Sequence, residues 1–531
     1  MRFFCLWCLI AWLSICCTPK KKTVTSVVNV TDLAKVLPDS TETAALDGNN
    51  LAHVYCSACH QFPEPALLPK VTWEKSVLPV MGLRLGIGSD LSMYTRLAPQ
   101  EIMALLKAEI YPSKPLIAKK DWIKIKAYYQ NQAPEKLAPP KLLSLDSLTL
   151  FQVSALPINK GRNALTSLLK YEPKTKELLV GDRRNKLFRI NAQLQPTDSL
   201  QLDTPPVAAI STINKEHYQI LTVGSLTPSD APYGRLYSWN TKDKTAASAQ
   251  PQLTDLQRPV QLVSSDLNQD NRPDLVVCQY GNQIGKLSWY EENKDGTYRE
   301  HILKKVPGSR QVIIQDINHD NLPDVIALFA QATESVIVFY NKGEGRFEEE
   351  TLLQMPPVYG SSYFTLTDFN KDSAPDILLA NGDNGDYSSL LKPYHGIRVY
   401  LNNKKNSFQE TVFLPLPGAT QAVARDFDQD GDVDIAAIAY FADFEKQPAA
   451  GFVYYENQGN NTFHSKTFPE STQGRWLTMS TGDLDQDGDE DIMLGSFIFA
   501  TTPVPTTLQE KWIKNGPSVL VLKNKLQPKV E

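Results

Sequence analysis

The sequence is short of the features that would classify it at once. Its cysteines are few and badly spread: Cys5, Cys8, Cys16 and Cys17 crowd the first 17 residues, Cys56 and Cys59 form one pair, and Cys278 stands alone. That spacing excludes a disulfide framework. No Lys/Arg-rich stretch runs beyond a few residues and the net charge is −5, which excludes a nucleic-acid binder. The apolar run at the N-terminus, Phe3–Ile15, has 13 residues, short of the about 20 that cross a bilayer as a helix. There is no Ser/His/Asp set, no carboxylate pair separable from the repeats described below, and no Gly-rich loop to cradle a phosphate. With 42% apolar and 21% charged residues in 531, the chain is neither disordered nor fibrous, and its length allows about three domains, or one small and one large.

Arg2 followed by the 13-residue run has the length of a signal-peptide core. Leu13-Ser14-Ile15-Cys16 resembles a bacterial lipobox, in which the cysteine becomes the lipidated first residue. Ile15 is bulkier than the Gly, Ala or Ser usual before that cysteine, so Cys17 is the alternative acceptor and a plain secretory signal the other alternative. The resemblance implies a signal peptide over residues 1–15, lipidation at Cys16, and a place in the bacterial cell envelope, held to a membrane by lipid and facing the periplasm or the cell surface. Residues 16–45, rich in Ser, Thr and Lys without steady periodicity, read as a tether.

Cys56-Ser-Ala-Cys59-His60 has the c-type haem attachment spacing. Two thiols a helical turn apart add to the two vinyl groups of one porphyrin edge, and the adjacent imidazole then points at the iron. The rivals are a zinc half-site, which lacks a second Cys/His pair nearby, and a thioredoxin-like pair, which belongs after a strand. Here the motif ends a helix-like stretch over Asp47–His60. Residues 46–133 resemble the small cytochromes c: Gly48–Cys56 looks like their first helix and Asp121–Gln132, with Trp122, Ile125, Tyr128 and Tyr129, like their closing one. The resemblance implies an all-α domain carrying haem c, with His60 as one axial ligand and a thioether as the other. Met81, between Pro79 and Gly82 in a segment expected to be free of helix, is the expected thioether; Met93 and Met103 are the alternatives. Trp73 and Leu78 are its expected apolar wall.

Residues 134–146, with Pro134, Pro139 and Pro140, read as a linker. A repeat follows. Five nine-residue loops align without gaps, with oxygen-bearing side chains at positions one, three, five and nine: Asp266, Asn268, Asp270, Asp274; Asp316, Asn318, Asp320, Asp324; Asp368, Asn370, Asp372, Asp376; Asp426, Asp428, Asp430, Asp434; and Asp483, Asp485, Asp487, Asp491. They begin 50, 52, 58 and 57 residues apart, the length of a four-stranded propeller blade. Hard oxygens wrapped closely around a point suit Ca²⁺. An EF-hand is excluded, because position 12 holds Val277, Ala327, Leu379, Ala437 or Leu494. Four carboxylates in each of the last two loops, against three and an amide in the others, predict tighter Ca²⁺ binding there. Strand-like segments follow each loop, and Cys278 falls in one as an inert core residue. Turns at Asn293–Gly296, Asn341–Gly343 and Asn457–Gly459 repeat too.

Residues 258–524 thereby resemble the FG-GAP/VCBS repeats of integrin-α-like β-propellers, whose calcium loops join the first two strands of a blade. Literal Phe-Gly and Gly-Ala-Pro signatures are missing, and Ser373 replaces Gly in the third loop. Two degenerate blades, Ala164–Leu200 and Val207–Leu256, bring the count to seven, so the fold class is a mainly β, seven-bladed propeller over residues 147–525 behind a small all-α domain. The last blade lacks its outer strand, and Leu148–Leu156 is expected to supply it.

The longest loops between second and third strands, Asn381–Gly396, Phe441–Gly451 and Phe497–Pro517, fall in blades five to seven. They carry Tyr387, Tyr394, His395, Phe444, Phe499 and Trp512, either as an exposed contact patch for a protein or carbohydrate ligand or as packed insertions. Arg162, Arg258, Arg310 and Arg475 precede first strands and either ring the channel mouth or are scattered. The first functional reading is a non-enzymatic, membrane-tethered cytochrome passing single electrons to a redox partner protein, its propeller a binding platform. The second is a propeller dehydrogenase feeding its own haem, and the third an adhesion module with a structural haem. The missing catalytic constellation favours the first, with no catalytic residue assigned.

Overall fold

The computed structural model describes residues 37–526 apart from 39–42, 44, 89–96, 157, 159–160, 203–206, 243–250, 332, 384–388 and 500–501. The signal peptide, Cys16, Cys17, Met93 and Tyr387 lie outside the described residues.

The helical part comes first. Asp47 caps α1 (Gly48–Cys56) by accepting the Asn50 N–H at 2.8 Å, and Leu51, Ala52 and Tyr55 form its buried face. α1 crosses α4 (Lys119–Gln132) at Gly48, where a Cβ would sit 2.4 Å from the Lys124 carbonyl. No side chain fits that approach. Helical turns over 70–77 run into α2 (Leu78–Arg84), and α3 (Pro99–Ala108) follows. Trp73, Leu78, Trp122, Ile125 and Tyr129 close one apolar core with α1. Its polar tips are satisfied: Trp73 Nε1 donates to the Pro65 carbonyl and Tyr129 Oη to that of Pro63, both at 2.9 Å. Met81 therefore lies inside a helix, not in the helix-free segment expected. Pro79 lies just after the wider helical turn Trp73–Val77, inside a continuous helical stretch.

Seven sheets make the propeller. Blades three to six run in order from inner to outer strand, for example Pro259–Ser265, Asp274–Gln279, Lys286–Glu292 and Tyr298–Lys304. Second strands are buried at every position in blades three to seven, sandwiched between neighbouring blades, which is why they read as unbroken apolar runs. The two degenerate blades are present, spanning Thr166–Gln201 and Val207–Leu256. Cys278 is buried in the second strand of blade three, and burial pushes its thiol up.

Ring closure follows expectation. Phe151–Leu156 is the outer strand of blade seven, antiparallel to Val519–Asn524, with Phe151 opposite Asn524 and Leu156 opposite Val519. The preceding linker is less free than its prolines suggest. Asp146–Ser147 adds in parallel to Phe463–Thr467 as a fifth strand of blade six, and the Gln447 amide clamps the backbone of Leu143 at 3.0 and 2.7 Å.

The closing pair should carry measurable stability. Leu522 is fully buried between blades six and seven. Leu522→Ala is expected to cost about 2–5 kcal/mol and to lower the urea midpoint. Gln152→Ala, on the exposed side of the same strand pair, should change stability by no more than about 0.5 kcal/mol.

Candidate functional site

The five loops share one backbone design. The position-one carboxylate folds the turn around itself: Asp266 accepts the N–H groups of Asp270 and Asn271 at 3.1 and 2.9 Å, and Asp316 those of Asp320 and Asn321 at 3.1 and 2.8 Å. Position six has positive φ in all five, Asn271, Asn321, Ser373, Gly431 and Gly488. So does position four, at Gln269, His319, Lys371, Gln429 and Gln486, which sequence reasoning missed because Gln and Lys do not favour that region. The eight left-handed residues among these that are not glycine are strain that the carboxylate hydrogen bonds hold in place.

Position nine does something the spacing did not reveal. Each of these carboxylates is buried and ties three strands together. Asp274 accepts the Leu267 N–H from the end of strand one and the Glu292 N–H from the end of strand three, both at 3.1 Å. Asp324, Asp376, Asp434 and Asp491 repeat both bonds, onto Ile317 and Asn341, Phe369 and Asn402, Phe427 and Asn457, Leu484 and Asn524. Burial pushes Asp274 and Asp491 up to about 6 and Asp434 up to about 7, the last against a hydrogen bond from the Tyr454 hydroxyl. A nearby cation would favour their ionised form.

Convergence differs between loops. Carboxylate oxygens of Asp426, Asp428 and Asp434 lie within 4.8 Å of one another, as do those of Asp483, Asp485 and Asp487. Among the described residues no other three acidic, His or Cys side chains gather so closely. Asp266, Asp316 and Asp368 head loops in which an amide stands at position three.

Cys56 is the last residue of α1, while Cys59 and His60 lie in the turn beyond it, so the helix is shorter than the expected Asp47–His60. Burial pushes the Cys56 thiol up to about 12 and raises Cys59 as well. A redox pair instead uses a helix N-terminus to make thiolate, so this placement at a C-terminus disfavours that rival. His60 Nδ1 lies 2.8 Å from the Gln61 carbonyl, and burial lowers its pKa, keeping the ring neutral. With Nδ1–H donating there, Nε2 is the nitrogen left with a lone pair for a metal. Cys56, Cys59 and Met81 all pack on the one helical core. Met103 is 67% exposed on α3.

The helical part is fastened to the propeller. The Tyr394 hydroxyl donates to the Leu67 carbonyl at 2.9 Å, Arg84 Nη2 to the Gln283 side chain at 2.6 Å, and Glu101 Oε1 accepts from the Ser229 hydroxyl and the Asp230 N–H at 2.6 and 2.9 Å. Of the aromatics in the long loops, Phe444 and Trp512 are buried against each other, ring centroids 5.3 Å apart, and Tyr394 holds the helical part. Phe499 stays exposed under the Arg183 guanidinium, 4.6 Å from its ring. Trp512 belongs to α5 (Thr506–Asn515), a helix inside the last long loop. His395 is no surface loop residue: it is buried with neither ring nitrogen hydrogen-bonded, and burial holds its pKa well below the usual range. Arg475 is buried too, its Nε on the Tyr440 carbonyl and its Nη2 on Thr502, which removes it from any arginine ring at the channel mouth.

Residues 266–327, 316–379 and 368–437 match the FG-GAP-like repeat, each match running from one loop into the second strand of the next blade. The chain thus carries FG-GAP-like repeats on a seven-bladed β-propeller. Among solved structures, the N-terminal domain of Nup159 is 12% identical over 72% of this chain and 99% of its own, with TM-score 0.41. The β-propeller domain of Myceliophteria thermophila Cps50 (Swd1) is 8% identical over 70% and 99%, with TM-score 0.43. Both likenesses are too slight to carry an argument. No curated protein matches the chain.

The raised thiols predict slow chemistry. In protein made without haem attachment, Cys56 and Cys278 should resist a thiol reagent at pH 8, because thiolate forms only as pH rises through their elevated pKa values. Denaturant should release both to react at the ordinary rate, as counted by mass spectrometry.

Proposed function

We propose that this chain is an exported, lipid-anchored c-type cytochrome whose calcium-stabilised propeller serves as a binding platform. The observation that carries the reading is the Cys56–His60 turn, with His60 Nδ1 spoken for by the Gln61 carbonyl and Nε2 free. Cys56 and Cys59 would hold haem c covalently, and His60 and Met81 would be its axial ligands. Bound there, the haem supplies reversible one-electron exchange. Trp73 and Leu78 exclude water from that core. Partners follow from the layout: a redox protein for the haem, and a protein or carbohydrate on the face carrying the long loops of blades five to seven, where Phe499 and Arg183 are presented. Cys16 is the proposed lipid attachment point and the cell envelope the proposed location. In the propeller, the acidic loops would hold Ca²⁺, most firmly those starting at Asp426 and Asp483, which gather three carboxylates each.

An optical spectrum of protein matured in a cytochrome c-competent host tests the haem. Haem that stays with the denatured chain is expected, lost in Cys56→Ser with Cys59→Ser. Met81→Ala should abolish the near-infrared band of Met ligation and lower the potential, while Met103→Ala leaves both. An unchanged spectrum in Met81→Ala would remove Met81 from the ligand set.

Calcium is tested separately. An ion bound only to the folded state contributes about 2.7 kcal/mol at a hundredfold excess over its Kd. Excess chelator should therefore lower the melting temperature of the wild type. Asp426→Asn and Asp483→Asn should each shrink that shift, and a melting temperature indifferent to chelator would refute the reading.

A further inference from the structure

The five loops differ in what stands at position seven. It is Leu322 in the second, Ala374 in the third, Asp432 and Asp489 in the last two, and Arg272 in the first. Arg272 turns back into its own loop. Its Nη2 meets Asp270 Oδ2 in an ion pair, its backbone N–H donates to Asp270 Oδ1 at 2.9 Å, and its Nε donates to the Glu292 carbonyl at 2.9 Å. One residue thus takes both oxygens of the position-five carboxylate. Asn268 adds its amide N–H to the same Oδ2 at 3.1 Å, so positions three and five face each other. Both ends of the ion pair are about two-thirds or more buried, with 31% and 25% exposure.

The lysines near other loops are held differently. Lys404 is 3.7 Å from Asp372, Lys371 is 3.1 Å from Asp432, and Lys523 is 3.1 Å from Asp485. Each arrives from outside the loop it meets, on a flexible stem. Lys523 faces a loop with five aspartates, three of which already gather, and Asp489 there is buried with both oxygens unpartnered. Only Arg272 is part of the loop it neutralises, and its planar fork is fixed at two points, the Asp270 carboxylate and the Glu292 carbonyl.

Resting on the calcium reading of the other loops, we propose that Arg272 is a built-in counterion. The loop starting at Asp266 is closed by its own guanidinium, and takes no divalent cation. The repeat keeps its turn there while dispensing with the metal.

Titration of chelator-treated, full-length protein with Ca²⁺, followed by calorimetry, decides it. Arg272→Gln is expected to bind one more Ca²⁺ per chain than the wild type, and Arg272→Asp, which copies position seven of the last two loops, to do the same. In chelator both variants should melt lower than the wild type, and excess Ca²⁺ should restore them. Asp270→Asn should leave the wild-type count unchanged. Loss of one ion in Asp270→Asn overturns the inference, as does an equal count in the wild type and in both Arg272 variants. The broader calcium reading fails by a different result: counts unchanged by Asp426→Asn and Asp483→Asn.

Discussion

The buried carboxylate at position nine is the constraint on which the rest of the propeller depends. In each of five blades it accepts one N–H from the end of the first strand and one from the end of the third, while standing at the start of the second. Three strands are thereby registered at one end by a single side chain. Removing it would leave two buried N–H groups without acceptors, a loss of about 1–3 kcal/mol each. The neighbouring blade joins in: Asn341 in blade four donates to the Leu267 carbonyl in blade three, and Asn524 in blade seven to that of Phe427 in blade six, both at 2.8 Å. The acidic loops are therefore joints of the fold before they are binding sites of any kind.

Much of this architecture could be read from the sequence because it is local and repeated. Alignment of Asp266, Asp316, Asp368, Asp426 and Asp483 fixed the blade period, and an apolar segment before blade one matched the strand missing from blade seven. What escaped was set by tertiary contact. Left-handed Gln269 and Lys371 carry no signal of their own; the carboxylate behind them imposes the conformation. Phe444 and Trp512 read in sequence either as a contact patch or as packed insertions, and the helix inside the last long loop decides for packing, each ring set against the other. Met81 lies two residues after Pro79, which suggested a helix-free segment, whereas the helical turns over 70–77 carry on through that proline. The Cys56–His60 motif was legible as a spacing, but the partner of His60 Nδ1 was visible only in the folded turn.

The helical part gains its position from few but well-placed bonds. Glu101 reaches blade two, Arg84 blade three and Tyr394 blade five. Three anchors on three blades fix orientation as well as contact. Leu67, which receives the Tyr394 bond, lies seven residues beyond His60, so the segment carrying the motif is itself one of the anchored ones.

The strand that closes the ring also dictates when the ring can exist. Phe151–Leu156 leaves the ribosome ahead of every blade, but its partner Val519–Asn524 emerges only after blades one to six. Blades one to six can assemble as they emerge, each on its predecessor, while the early strand waits unpaired. The final pairing joins the two ends of the propeller segment, the kind of long-range contact that folds slowly. A chain cut short before residue 519 would leave the edge of Asp491–Ser496 and the whole of Phe151–Leu156 unpaired. Synthesis through Asn524 is thus built into the topology as a condition for a sealed ring, and shorter products are marked by the strand edges they leave exposed.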